Sequence, residues 1–138
     1  MRRCSRLRVS WRYCKQIQAD LDLIVLDAAY KVHTVLGPGL LESVYSTAMK
    51  HVIENNGALA EREVKLPIMF EGVTLESALR IDMLVNNCVI AELKSVESMN
   101  PVFEAQLMTY LRLSKIRLGF LINFNVLHLK DGIKRMVV

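Results

Sequence analysis

Residues Arg80 to Lys94 read RIDMLVNNCVIAELK: two apolar runs meet at Asn86-Asn87, with Asp82 in the first and a Glu-x-Lys closing the second. Acidic groups are costly inside apolar strands, so Asp82 and Glu92 need a compensating reason to be there. Glu92 and Lys94 stand two apart on an expected strand and so project from the same face of a sheet. Two carboxylates and an ammonium gathered at one point suit a divalent cation and a reacting phosphate.

Whether the three gather depends on the turn. With a two-residue loop at Asn86-Asn87, Val85 faces Cys88 and Asp82 faces Ala91, leaving Glu92 and Lys94 on the far side of the sheet. A loop of odd length, such as a three-residue turn with a left-handed residue and a bulge, shifts the pairing by one. Asp82 then stands opposite Ile90 or Glu92, and all three polar groups share a face. Asn tolerates the left-handed region, so an odd loop with positive φ, at Asn87 above all, is the expectation.

Working outward, Leu79 to Val85 and Cys88 to Val96 are expected strands. Ahead of them Val64, Leu66, Ile68 and Phe70 alternate with Glu63, Lys65, Pro67 and Met69, a half-buried strand that Pro67 assigns to an edge, followed by a turn at Glu71-Gly72. Between Asp20 and Leu36 apolar residues recur at Leu23, Leu26 or Asp27, Tyr30 and His33 to Val35, a helical period broken by Gly37-Pro38-Gly39. A second helix is expected from about Leu40 to Asn55, with Leu41, Val44, Tyr45, Ala48, Met49 and Val52 on its apolar side and Gly57 as a left-handed cap. Asn100 and Pro101 open a third helix to Leu113. Strands at Arg117 to Phe124 and Ile133 to Val138 flank a turn at Asp131-Gly132. The order α-α-β-β-β-α-β-β describes an α/β fold, a mixed β-sheet flanked by helices.

The chain of 138 residues is 52% hydrophobic and 23% charged, the composition of one folded domain. Six of its 18 basic residues (Arg2, Arg3, Arg6, Arg8, Arg12 and Lys15) precede the first acidic one, so the remainder carries 12 basic against 14 acidic residues. The basic character therefore sits in a leader, residues 1–18, expected to be disordered. No apolar run is long enough to span a membrane. Three cysteines without ligand spacing support neither a disulfide framework nor a zinc site, and point to a reducing, cytoplasmic setting.

Two further segments have the reach to join the acidic hairpin. Glu42 lies in the first turn of the second helix, where the helix dipole alone also favours it. Gln106 and Tyr110 are four apart and share a face of the third helix; an ordinary polar edge is the plainer alternative.

From about Asp20 onward the chain resembles the GxxExxY family, a branch of the PD-(D/E)XK nuclease superfamily. The naming motif reads Gly39-Leu40-Leu41-Glu42-Ser43-Val44-Tyr45; the superfamily core reads Asp82, then Glu92-Leu93-Lys94, with Gln106 to Tyr110 as the helical Gln-x-x-x-Tyr. EREVKLPI, TYLRLSKIRLGFLINFNV and LKDGIKR are similar as well. The resemblance implies a restriction-endonuclease-like domain over residues 19–138. It also implies a nuclease that hydrolyses phosphodiester bonds with Mg²⁺, or Mn²⁺ in its place, on DNA in preference to RNA. By that resemblance Asp82 and Glu92 are metal ligands and Glu42 an accessory one, directly or through water. Lys94 orients or activates the attacking water, or offsets charge on the transition state, while Gln106 and Tyr110 support the lysine or the substrate backbone. Phe103 departs from the pattern where many relatives have His, and Ile81 where Ala is usual. A chain this small is expected to need a homodimer or a partner protein to hold a duplex. A non-catalytic nucleic-acid-binding or regulatory module on the same fold is the alternative, and a purely structural partner protein a third reading.

Overall fold

All the expected elements form, in the expected order. The computed structural model describes residues 11–138, with side chains from Ala19 onward. Helices α1 (Trp11–Leu36) and α2 (Glu42–Asn55) precede strands β1 (Ala60–Phe70), β2 (Val73–Val85) and β3 (Val89–Lys94). Helix α3 (Pro101–Ser114), strand β4 (Leu118–Asn123), a short 3-10 turn (Leu129–Gly132) and strand β5 (Ile133–Val137) complete the chain. Residues 1–10, the greater part of the basic leader, lie outside the described residues. Helix α1 starts at Trp11 rather than near Asp20.

The five strands lie in sequence order, β1 at one edge and β5 at the other. Neighbours are antiparallel except β3 and β4, which are parallel and joined through α3. Pro67 sits on the edge strand, where the ladder shifts register between Leu66 and Ile68, as a residue without an amide donor requires. Strand β2 is longer than its apolar pattern shows. It starts at Val73, directly after the turn, because Val73, Thr74 and Leu75 pair with β1, while Glu76 to Ala78 drop out of the ladder at the register shift.

Two apolar clusters sandwich the sheet. On one side α1 and α2 pack through Leu21, Val25, Val32, Tyr45, Met49 and Ile53 on Met83, Ala91, Leu93, Phe120 and Ile122. On the other, Leu107 and Leu111 of α3 pack on Ile81, Leu84, Ile90 and Leu121. Gly119 allows that approach: a Cβ there would come within 2.9 Å of the Leu107 side chain. Each fully buried Leu, Ile or Phe contributes about 1.5–3 kcal/mol of transfer free energy, so these layers hold the central strands firmly.

The buried face of α1 agrees with the expected one at Leu26 and His33 and differs elsewhere. Leu23 is 62% exposed, and Tyr30 and Val35 also face outward, while Leu21, Val25, Ala28, Ala29, Val32 and His33 turn inward. Both stripes have helical period, and the sequence offers apolar residues on each. The small Ala28-Ala29 pair lets one face approach its neighbours closely. Leu41, just ahead of α2, and Val44 within it are likewise exposed, and Ile53 joins the core instead.

Candidate functional site

The hairpin joining β2 to β3 has the odd loop that the acidic pair requires. Val85 pairs with Val89, Leu84 with Ile90 and Met83 with Ala91, so three residues, Asn86 to Cys88, make the connection. Asn86 and Asn87 both have positive φ, 48° and 55°, and the Asn86 side chain accepts a 2.7 Å hydrogen bond from the Leu59 amide. Continued by one step, this register sets Asp82 opposite Glu92.

At that step the ladder stops and side chains take over. The Asp82 amide donates to Glu92 Oε1 at 3.3 Å, and the Leu93 amide donates to Asp82 Oδ2 at 3.0 Å. The strands part here, and the two acids bridge the gap that backbone carbonyls fill elsewhere in the sheet. Glu92 and Lys94 alternate with Ala91 and Leu93, whose side chains join the α1–α2 cluster, and so project toward α3.

Asp82 does not simply share that face. Ile81 packs on the α3 side and Met83 on the α1–α2 side, so the alternation of β2 breaks between them. Opposite this break the β1–β2 ladder skips Glu63 and Asp82, and Glu63 has a φ of 52°. Asp82 therefore stands at a turning point of the strand. It touches Glu92 on one side and opens on the other into a cleft of about 510 Å³.

That cleft places Glu42 across from the sheet, with Ser43, Ser46, Arg62, Glu63, Leu93 and Ser95 around it. The Gly39-to-Tyr45 segment explains how Glu42 is presented. Gly39 has a φ of 93°. Fully buried Tyr45 donates its hydroxyl proton to the Gly37 carbonyl at 2.5 Å and accepts from the Leu40 amide at 3.1 Å. The Tyr45 ring stacks on Phe124 with centroids 4.4 Å apart. Ser95 closes the other wall, its hydroxyl donating to the Leu40 carbonyl at 2.6 Å. Arg62, held to the Ser46 hydroxyl at 2.7 Å, and Glu63 are cleft residues that pattern reading passed over. EREV displays both, but only the pairing with β2 puts them beside Asp82.

Glu92 is the electrostatic centre. It is 3% exposed, and burial first, then the Asp82 charge, push its carboxyl up to about 9, against a smaller opposing pull from Lys94. At neutral pH it therefore holds a proton, and hydrogen bonding between the two side chains favours that state.

Lys94 extends over the ring of Phe103 on α3, its Nζ 4.5 Å from the centroid, within the range of a cation–π contact. Gln106 Nε2 donates to the Tyr110 hydroxyl at 3.3 Å on the exposed side of α3. The structure thus brings Asp82, Glu92 and Lys94 together and sets Glu42 in the same cleft as Asp82. Among the described residues no three His, Cys, Asp or Glu side chains gather closely enough to hold a metal ion, so Glu42 does not join the acidic pair directly. No helix of the described residues is long and apolar enough to cross a membrane.

The donor set nevertheless suits a hard cation. Mg²⁺ commonly binds through one or two carboxylates and completes its octahedron with water and substrate phosphate, and Asp82 with Glu92 supplies that pair. The family model of the PD-(D/E)XK nuclease superfamily matches residues 19–136. No curated protein and no solved structure gives a significant match.

Proposed function

The chain belongs to the PD-(D/E)XK nuclease superfamily, and from that premise we propose that it is a divalent-metal-dependent nuclease cutting DNA in preference to RNA. The observation that carries the reading is the contact between Asp82 and buried Glu92 at the cleft, with Lys94 beside it. Asp82 and Glu92 would hold Mg²⁺ or Mn²⁺, which supplies Lewis-acid polarisation of a phosphodiester and acidifies a water. Glu42, across the cleft, contributes through a bridging water. Lys94 directs its ammonium at the phosphate, where it orients the attacking water or offsets the charge that builds as the new P–O bond forms and the old one breaks. Phe103 keeps that ammonium in place, while Gln106 and Tyr110, paired on α3, support the lysine or the substrate backbone.

Apart from its leader the chain has 12 basic against 14 acidic residues, an unusual balance for a nucleic-acid enzyme. A bound divalent cation offsets the charge of the very carboxylates that create the excess. A homodimer or partner protein completes the grip on a duplex, and a cytoplasmic setting is in keeping with the cysteine usage.

A metal titration of cleavage on single-stranded, duplex and branched DNA and on RNA tests the reading. Metal-dependent cutting that Asp82→Asn abolishes is the expected result. Binding without cutting in every metal would favour the non-catalytic module instead.

A further inference from the structure

Beyond Asp82, strands β1 and β2 continue outward as a two-stranded arm. Strand β3 pairs only with Met83, Leu84 and Val85, so residues nearer the tip have β1 as their one strand neighbour. On this arm Lys65 and Arg80 are directly opposite each other in the ladder. Two like charges in that position are destabilising. Both side chains are exposed, and among the described residues neither has an ion-pair or hydrogen-bond partner. Lys50, Lys134 and Arg135, by contrast, all have a carboxylate within reach.

Their direction follows from their neighbours. Val64 with Ile81 and Leu66 with Leu79 flank the pair in the ladder, and Val64, Leu66 and Ile81 belong to the cluster under α3. Lys65 and Arg80 therefore project from the opposite side, the side on which α2 and the cleft residues Ser46 and Arg62 lie. Arg80 is two residues from Asp82, about 7 Å along the strand at ~3.3 Å per residue. That spacing is close to one nucleotide step of an extended backbone.

We infer that Lys65 and Arg80 form a phosphate-gripping pair that holds the DNA backbone just outside the cleft, next to the position of cleavage. The inference rests on the nuclease reading and adds where the substrate is held. Two cations side by side, repelling each other in the free protein, are relieved when a phosphate lies between them. The pair reads the backbone and no base, so its contribution is independent of sequence.

The test is DNA binding by the full chain in Ca²⁺, which accepts an oxygen site without the strict octahedral geometry of Mg²⁺. Fluorescence anisotropy on labelled single-stranded and duplex DNA is followed across a salt series for the original chain, Lys65→Ala with Arg80→Ala, and Arg80→Glu. The double variant is expected to bind more weakly on every sequence, with a log–log salt slope on duplex shallower by up to about 1.8. Arg80→Glu sets opposite charges across the ladder, so it should melt at the same or a higher temperature while binding worse. A structural role would move both in the same direction. If the original chain binds and cuts DNA but the variants keep its affinity and slope, the gripping pair is wrong and the nuclease reading stands. If the variants melt earlier in step with weaker binding, the pair is structural and the inference fails. If the original chain neither binds nor cuts DNA, both readings fall.

Discussion

Asp82 and Glu92 each satisfy the other's strand: the amide of Asp82 meets Glu92 Oε1 at 3.3 Å, and the amide beside Glu92, that of Leu93, meets Asp82 Oδ2 at 3.0 Å. An acidic pair built this way closes the ladder where the two strands part.

Removing one charge from the pair should cost function without costing the fold. Asp82→Asn keeps an oxygen for the Leu93 amide and removes only the charge beside protonated Glu92, so the metal-free variant is expected to melt close to the original while losing cleavage. Mg²⁺ or Mn²⁺ at about 100 times its dissociation constant should stabilise the original by ~2.7 kcal/mol and leave the variant unmoved in the same scan. Leu93→Ala, in the core on the α1–α2 side of the sheet next to Glu92, should instead lose about 2–5 kcal/mol. Unfolding of Asp82→Asn, with no metal shift in the original, would make the carboxylates structural.

Proton linkage gives the pair a second signature. Burial, then Asp82, raises the Glu92 carboxyl from 4.5 to about 9, so the folded protein keeps a proton that the unfolded chain sheds near its ordinary value. The associated stability is complete below about pH 4.5 and is lost as pH climbs toward 9. Urea unfolding in chelator should show that decline, and Glu92→Gln should flatten it. Cation binding displaces the same proton, so metal affinity should strengthen as pH rises over this interval. Equal pH slopes for the original and Glu92→Gln would remove Glu92 as the linked group.

Lys94 and Phe103 predict a different split. Phe103→Leu removes a cation–π contact of about 0.5–2 kcal/mol and frees the ammonium, so turnover should drop while metal affinity holds. Phe103→Tyr, which keeps the ring, should restore most of it. Lys94→Ala should lose turnover further and still bind metal, since an ammonium is no ligand. Calorimetric metal titration beside cleavage kinetics separates the two quantities.

Tyr45→Phe deletes a hydroxyl that serves both the Gly37 carbonyl and the Leu40 amide. Leaving two backbone groups unsatisfied should cost about 1–3 kcal/mol and loosen the loop that presents Glu42. Thermal unfolding reads the first effect, and an activity loss that vanishes in the Glu42→Gln background would confirm the second.

Much of this was legible in residue order. The α-α-β-β-β-α-β-β succession follows from changes of period and from Gly, Pro and Asn at the breaks. The odd loop at Asn86 to Cys88 could be deduced because a carboxylate needs a partner and a strand has period two. Exposed Leu23 and inward-facing Val25 were not legible, since two apolar stripes run along α1 and only the neighbours decide between them. Nor was the turning point at Asp82, which arises where Glu63 and Asp82 drop out of the ladder together. Arg62 and Glu63 entered the cleft for the same reason, through a pairing that no local pattern announces.

The parallel join of β3 to β4 through α3 has a consequence for how the site assembles. Asp82 and Glu92 are ten residues apart in one hairpin, so a short closure brings them together early and at small entropic expense. Phe103, nine residues beyond Lys94, reaches it only through the docking of α3 against the sheet. Lesions that weaken the docking of α3 should therefore leave a chain still able to capture the cation but with its lysine adrift. In such proteins loading and turnover become separable properties, governed by different stretches of the same short chain.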